Sequence, residues 1–195
     1  MVEPIVVLTA GRSGSSMIAG IFAAHGVWCG KTREGDQYNP KGYYENRAIK
    51  ALIKEHTDWN FLGDVPMFPA LRGKVERIIR AEGYGGGPWL VKQGAQFYRL
   101  WDEWTPKYVF IRRPLDDVMA SYTRSGFLKG RYDEVQTRWI VQRNNSVMDH
   151  LEGADVQTDD VVNGNYSSLE EAFQYCGLTF NPEIAAEFID GRFWC

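Results

Sequence analysis

The stretch from Ile5 to Ser16, IVVLTAGRSGSS, constrains this chain more than any other. Ile5 to Thr9 is an apolar, β-branched run of strand length, and Ala10 to Gly14 is a loop bearing two glycines. Met17 to His25 then carries Ile, Ala and Phe residues suited to a buried helix. Strand, loop and helix in immediate succession bring backbone N–H groups and the positive end of a helix dipole to one point, an arrangement that binds phosphate-like anions.

The alternation continues along the chain. Val27 to Tyr44 is rich in Gly, Asn, Pro and Tyr and reads as a long irregular segment, more often functional than idle in a compact domain. Helices are expected over Glu45 to Thr57, where Ile49, Leu52 and Ile53 have helical spacing, and from about Phe68 to Glu82, ended by the glycines before Pro88. Trp89 to Lys92 and Lys107 to Ile111 are expected strands, and Pro114 can open a helix whose N-terminus suits Asp116 and Asp117. A helix over Asp133 to Leu151, a weak strand over Ala154 to Thr158 and a helix over Ser168 to Tyr175, closed by Gly177, complete the pattern. Strands separated by helices favour an α/β fold with a mostly parallel central sheet flanked by helices, and such sheets take ligands at the carboxyl ends of their strands. The 195 residues, 44% hydrophobic with seven Trp, suffice for one substantial core, so a single domain spanning residues 1–195 is expected.

Charge and cysteine content narrow the function. Twenty-two Lys and Arg against 25 Asp and Glu give a formal net charge of −3, so no overall basic field draws the molecule to nucleic acid or membrane, and any anion site must be local. Cys29, Cys176 and Cys195 form no CxxC pair and are odd in number, which argues against a secreted disulfide framework and a clustered zinc site. The apolar run near the N-terminus is too short for a leader or a membrane span, so a cytoplasmic location without an integral membrane segment is expected.

Within the first loop, Gly11 and Gly14 permit positive φ and close ligand approach, Arg12 supplies a charged fork, and the Ser15 and Ser16 hydroxyls stand at the helix start. A Walker A loop requires a lysine directly after its second glycine; Ser15 stands there instead, which disfavours ATP and Mg²⁺ chemistry. The alternative is a glycine turn that merely caps a helix. A second cluster follows in YVFIRRPLDDVMASY, residues 108–122, where Arg112 and Arg113 end a strand and Ser121 lies just over two helical turns beyond Arg113. Arg113 and Ser121 can share a second phosphate, or the arginines can pair with Asp116, Asp117 or other carboxylates.

These two clusters, in this order, resemble the 3′-phosphoadenosine 5′-phosphosulfate (PAPS)-dependent sulfotransferases. The loop Gly11, Arg12, Ser13, Gly14, Ser15 and Ser16 looks like that family's 5′-phosphosulfate loop, in the Arg-containing form of many bacterial and Golgi-type members. Arg113 and Ser121 look like its 3′-phosphate grip. NPKGYYE, residues 39–45, is similar to an NPxGYxE segment of bacterial members, and WLVK, residues 89–92, to the central lysine-bearing strand. The resemblance spans most of the chain and implies a three-layer, P-loop-type α/β fold that uses PAPS, releases PAP and needs no metal. It implies an acceptor hydroxyl or amine on a small molecule, lipid or carbohydrate; oligomerisation is compatible with it.

In such a reaction Arg12 and Lys92 would meet charge spreading over the transferred sulfuryl group and the leaving phosphate. Lys92 is otherwise a solvated or ion-paired lysine. Many cytosolic relatives carry a histidine two positions after the strand lysine, whereas Gly94 stands there here. Glu45, after the Gly-Tyr-Tyr segment, is therefore the preferred general base, its other reading being a helix-start carboxylate. His25, His56 and His150 lie near expected helix ends and read as surface or capping residues. Trp28, Tyr38, Tyr43, Tyr44, Phe127 and Tyr132 are candidates for an acceptor cleft, and Phe193 and Trp194 for contact with the adenosine. The competing functions are an ATP- and Mg²⁺-dependent P-loop kinase and a noncatalytic module that binds PAP or another nucleotide.

Overall fold

The computed structural model describes residues 2–37, 39–57, 62, 65, 68, 70–126 and 130–189. Its centre is a four-stranded sheet made of β1 (Ile5–Thr9), β2 (Leu90–Gly94), β3 (Lys107–Arg112) and β4 (Ala154–Gln157), in the order β2-β1-β3-β4. All three pairings are parallel. β1 has every residue buried because strands flank it on both sides and helices cover both faces, which is why the sequence there is apolar without alternation.

Alternate residues of β1 feed two cores. Val6 and Leu8 pack with α2 (Arg47–Thr57), α3 (Leu71–Ala81), α4 (Leu115–Ser125) and α5 (Glu134–Asp149). Ile5 and Val7 pack on the other face with α1 (Ser15–Ala24), α6 (Thr158–Val162), α7 (Ser167–Tyr175) and α8 (Pro182–Phe188). The result is the expected three-layer α/β arrangement. The strand and helix positions follow the sequence reading closely, with β2 running to Gly94 and α2 starting at Arg47, after Glu45. A 3-10 helix over Ala95–Trp101 and the short helices α6 and α8 were not expected.

The register places the site. Thr9 lies beside Gly94 on one side and Ile111 on the other, so three strands end at one level. From that level leave the glycine loop after β1, the turn into the 3-10 helix after β2, and Arg112–Arg113 after β3. β1 and β3 are also where the strand order reverses, the point at which open α/β sheets bind ligands. None of the described helices is long and apolar enough to cross a membrane.

Candidate functional site

The loop after β1 is shaped by its own hydroxyls. Thr9 Oγ1 accepts from the Gly11 N–H at 2.9 Å and lies 2.6 Å from Ser13 Oγ. Gly11 and Gly14 have φ of 84° and 82°, and Arg12 between them is itself left-handed at 51°. Gly14 is the N-cap of α1 and no side chain caps that end, so the first N–H groups of the helix face the loop's interior. The Tyr122 hydroxyl donates to the Ala10 carbonyl at 3.2 Å and lies against Gly11, where any Cβ would collide with it. Burial pushes the Tyr122 phenol up to about 12, so it remains a donor.

A cavity of roughly 470 Å³ opens at this level. Of the ten residues singled out from the sequence, Gly11, Arg12, Gly14, Ser15, Ser16, Glu45, Lys92, Arg113 and Ser121 line it. Ser13 does not; it is 1% exposed, and its hydroxyl is spent on Thr9.

At one end, Arg12 Nε donates to Ser121 Oγ at 3.1 Å and Arg113 Nη1 to the Arg12 carbonyl at 3.3 Å, so the first loop and the β3–α4 corner are joined directly. The two arginines at the end of β3 divide their work. Arg112 pairs with Asp149 at 2.9 Å and Asp155 at 2.6 Å, tying β3 to α5 and β4, while Arg113 turns to the cavity. Asp159 approaches Arg113 Nε at 3.8 Å. Asp116 accepts from Arg138, not from either of them.

In the middle of the cavity, Lys92 is 5% exposed, the third residue of β2 and not its last. Its Nζ donates to Ser16 Oγ at 2.8 Å and pairs with Glu45 Oε1 at 3.2 Å. Lys50, which the sequence reading passed over, binds the other Glu45 oxygen. Burial alone raises the Glu45 carboxyl, but Lys92 and Lys50 outweigh it and hold the group below its ordinary value. Lys92 is lowered, because its burial exceeds what Glu45 returns. Glu45 and Lys92 thus stand as a paired carboxylate and ammonium facing the cavity.

At Gly94 a Cβ would collide with the Gln96 amide, which leaves no room for a larger side chain at that position without displacing Gln96. The histidines lie elsewhere. Nδ1 of His25, His56 and His150 meets the carbonyl one helical turn earlier, at Ile21, Leu52 and Ser146. None of the three lines the cavity.

Among the expected acceptor aromatics, Tyr43 lines the cavity and its hydroxyl donates to Asp36. Trp28 and Tyr132 pack instead on the core around Val6 and Leu8, and Tyr44 packs toward the opposite core. Each of these rings packs against apolar neighbours and is partly buried there, as large apolar side chains commonly are. Tyr38, Phe127, Phe193 and Trp194 lie outside the described residues. Phe188 on α8 and Met17 on α1 supply apolar wall that the sequence did not single out.

With this geometry, the chain has the fold of the sulfotransferases, a P-loop-like α/β sheet flanked by helices. It is similar over 94% of its length to the sulfotransferase domain from the curacin biosynthetic pathway, covering 77% of that chain, with a TM-score of 0.59 and 14% identity. The sulfotransferase domain from the Synechococcus PCC 7002 olefin synthase matches 97% of this chain and 78% of its own, with a TM-score of 0.56 and 18% identity. For sulfotransferase STF1 from Mycobacterium tuberculosis the figures are 95%, 70%, 0.57 and 13%. The likeness is one of fold. The sequence matches no family model and no curated protein.

Proposed function

We propose that this protein is a single-domain sulfotransferase that moves the sulfuryl group of PAPS to an acceptor hydroxyl or amine and releases PAP, working in the cytoplasm. The observation that carries the reading is the joining of two anion-binding elements by the Arg12–Ser121 hydrogen bond, in one cavity that also holds the Lys92–Glu45 pair. A nucleotide with phosphates at both its 3′ and 5′ ends fits such a pair of elements. The uncapped N-terminus of α1, the three left-handed residues before it and the Ser15 and Ser16 hydroxyls suit the 5′ end, and Arg113 with Ser121 suits the 3′ end.

In this reading the acceptor oxygen forms a bond to sulfur as the bond from sulfur to the bridging phosphate oxygen breaks. The acceptor proton passes to the Glu45 carboxylate, and the electron pair of the broken bond leaves with PAP. Lys92 and Arg12 are fixed cations beside the path of that charge, and cations already in place need no reorganisation during the step. An anionic donor competes with Glu45 for Lys92 and Lys50. As their hold on Glu45 weakens, its carboxyl rises toward the range of a useful base.

Calorimetric titration tests the nucleotide. PAP is expected to bind the wild-type protein, to bind Arg113→Ala at least tenfold more weakly, and to be preferred over ATP with Mg²⁺. Preference for ATP with Mg²⁺ would replace this reading with a kinase.

A further inference from the structure

Around Phe188 the cavity has an apolar wall. Phe188, the last residue of α8, reaches it from the far end of the chain. Its ring is held on three sides. It packs against α1 at Gly20, where a Cβ would collide with it, meets Tyr44 edge-on at 6.0 Å between centroids, and lies 4.7 Å beneath Lys41 Nζ. A glycine inside a buried helix is unfavourable relative to alanine, and here it makes room for that ring. The half-buried ring still contributes to the cavity wall beside Met17, Pro40 and Tyr43.

Lys41, Tyr43, Arg33 and Asp36 hold this wall together. Lys41 Nζ donates to the carbonyls of Glu187 and Phe188, so it ties the end of α8 to the 39–45 segment. The Tyr43 hydroxyl and Arg33 both bind Asp36. Tyr44, in contact with Phe188, is the chain neighbour of Glu45.

Resting on the sulfotransferase reading, we propose that the acceptor is an alcohol or phenol whose hydroxyl is borne by an apolar body, and that Phe188 selects it by covering the carbons next to that hydroxyl. A free sugar carries hydroxyls around its whole ring. Against the carbons of Phe188, Met17 and Pro40 those hydroxyls would lose water contacts without replacement. An aryl or alkyl body loses only water-exposed apolar area.

The test uses the full chain, saturating PAPS, and three series of acceptors: primary alcohols of increasing chain length, substituted phenols and methyl glycosides. Binding of the same compounds to the PAP-saturated protein is followed by calorimetry, a readout that needs no turnover. Apolar area is expected to raise kcat/KM, and Phe188→Ala to lower it roughly 10- to 100-fold for the best apolar acceptor, mostly through KM. PAP affinity should stay within about twofold, since no donor-site residue has changed.

Phe188→Leu keeps an apolar anchor for α8 and should lose less. Gly20→Ala drives the Phe188 ring off its seat and also meets the Tyr44 ring, so it should weaken apolar acceptors in the wild-type background and weaken them less beside Phe188→Ala, where only the Tyr44 collision remains. Methyl glycosides sulfated better than every alcohol and phenol would overturn the inference alone. So would apolar acceptors bound equally well by wild type and both Phe188 variants. Absence of sulfation with all three series and with a parallel series of amines would overturn the underlying reading and this inference with it.

Discussion

Replacing Glu45 with glutamine removes the charge but little volume and isolates what the carboxylate does for Lys92. At an effective dielectric constant of about 20, opposite charges 3.2 Å apart attract by about 5 kcal/mol. Glu45→Gln leaves the buried Lys92 ammonium with the Ser16 hydroxyl. The loss has a ceiling, because the amine can shed its proton. Relative to the ordinary lysine value of 10.5, that costs about 5 kcal/mol at pH 7 and about 2 kcal/mol at pH 9.

Lys92 titrates lower folded than unfolded, so between those two values the unfolded chain binds more protons and stability rises with pH. Loss of Glu45 extends that window downward. Urea denaturation should therefore show Glu45→Gln less stable than wild type by about 3 kcal/mol at pH 7 and by less than about 2 kcal/mol at pH 9. If Glu45 is also the base, turnover at pH 7 falls by about 100-fold or more. An equal stability loss at both pH values, or none at either, would refute the dependence of Lys92 on Glu45.

Arg112 and Arg113 should separate cleanly in calorimetry. Arg112→Ala should leave PAP affinity within about twofold and cost about 1 kcal/mol of stability, since the carboxylates it binds are largely exposed, in contrast to Arg113→Ala. Tyr122→Phe deletes the hydroxyl that braces the Ala10 carbonyl. It should cost about 1 kcal/mol in urea denaturation and weaken PAP binding several-fold; unchanged PAP affinity would mean that the loop keeps its shape without that brace.

Much of this site is legible in the chain because its parts sit beside strong local signals. Ile5–Thr9 followed by glycines and a buried helix fixes a strand, a loop and a helix start in sequence, and the parallel sheet brings the loop to the level of Arg113 and Lys92. Local pattern does not separate Arg112 from Arg113, since both end the same strand and only the positions of Asp149 and Asp155 decide which one is spent on structure. Nor does it show that Lys92 is buried, because the pairing partner Glu45 lies 47 positions away and meets it only when α2 packs.

Phe188 was missed for a related reason. A phenylalanine at the end of a short helix resembles any core residue, and the clue is a glycine on another helix: Gly20, at a position where alanine would otherwise be favoured. The aromatic residues of the 27–44 segment misled in the opposite direction. Their abundance suggests a cleft, but Trp28 is drawn into the core by Trp89 and Tyr84.

Incubating the protein with PAPS, the three acceptor series and a series of amines, with the products followed by mass, tests whether a sulfuryl group moves. A sulfated acceptor and PAP are expected in equal amounts, with formation lost in Arg113→Ala at limiting PAPS. PAP binding without a sulfated product from any acceptor would leave a nucleotide-binding module and contradict the enzyme proposed here.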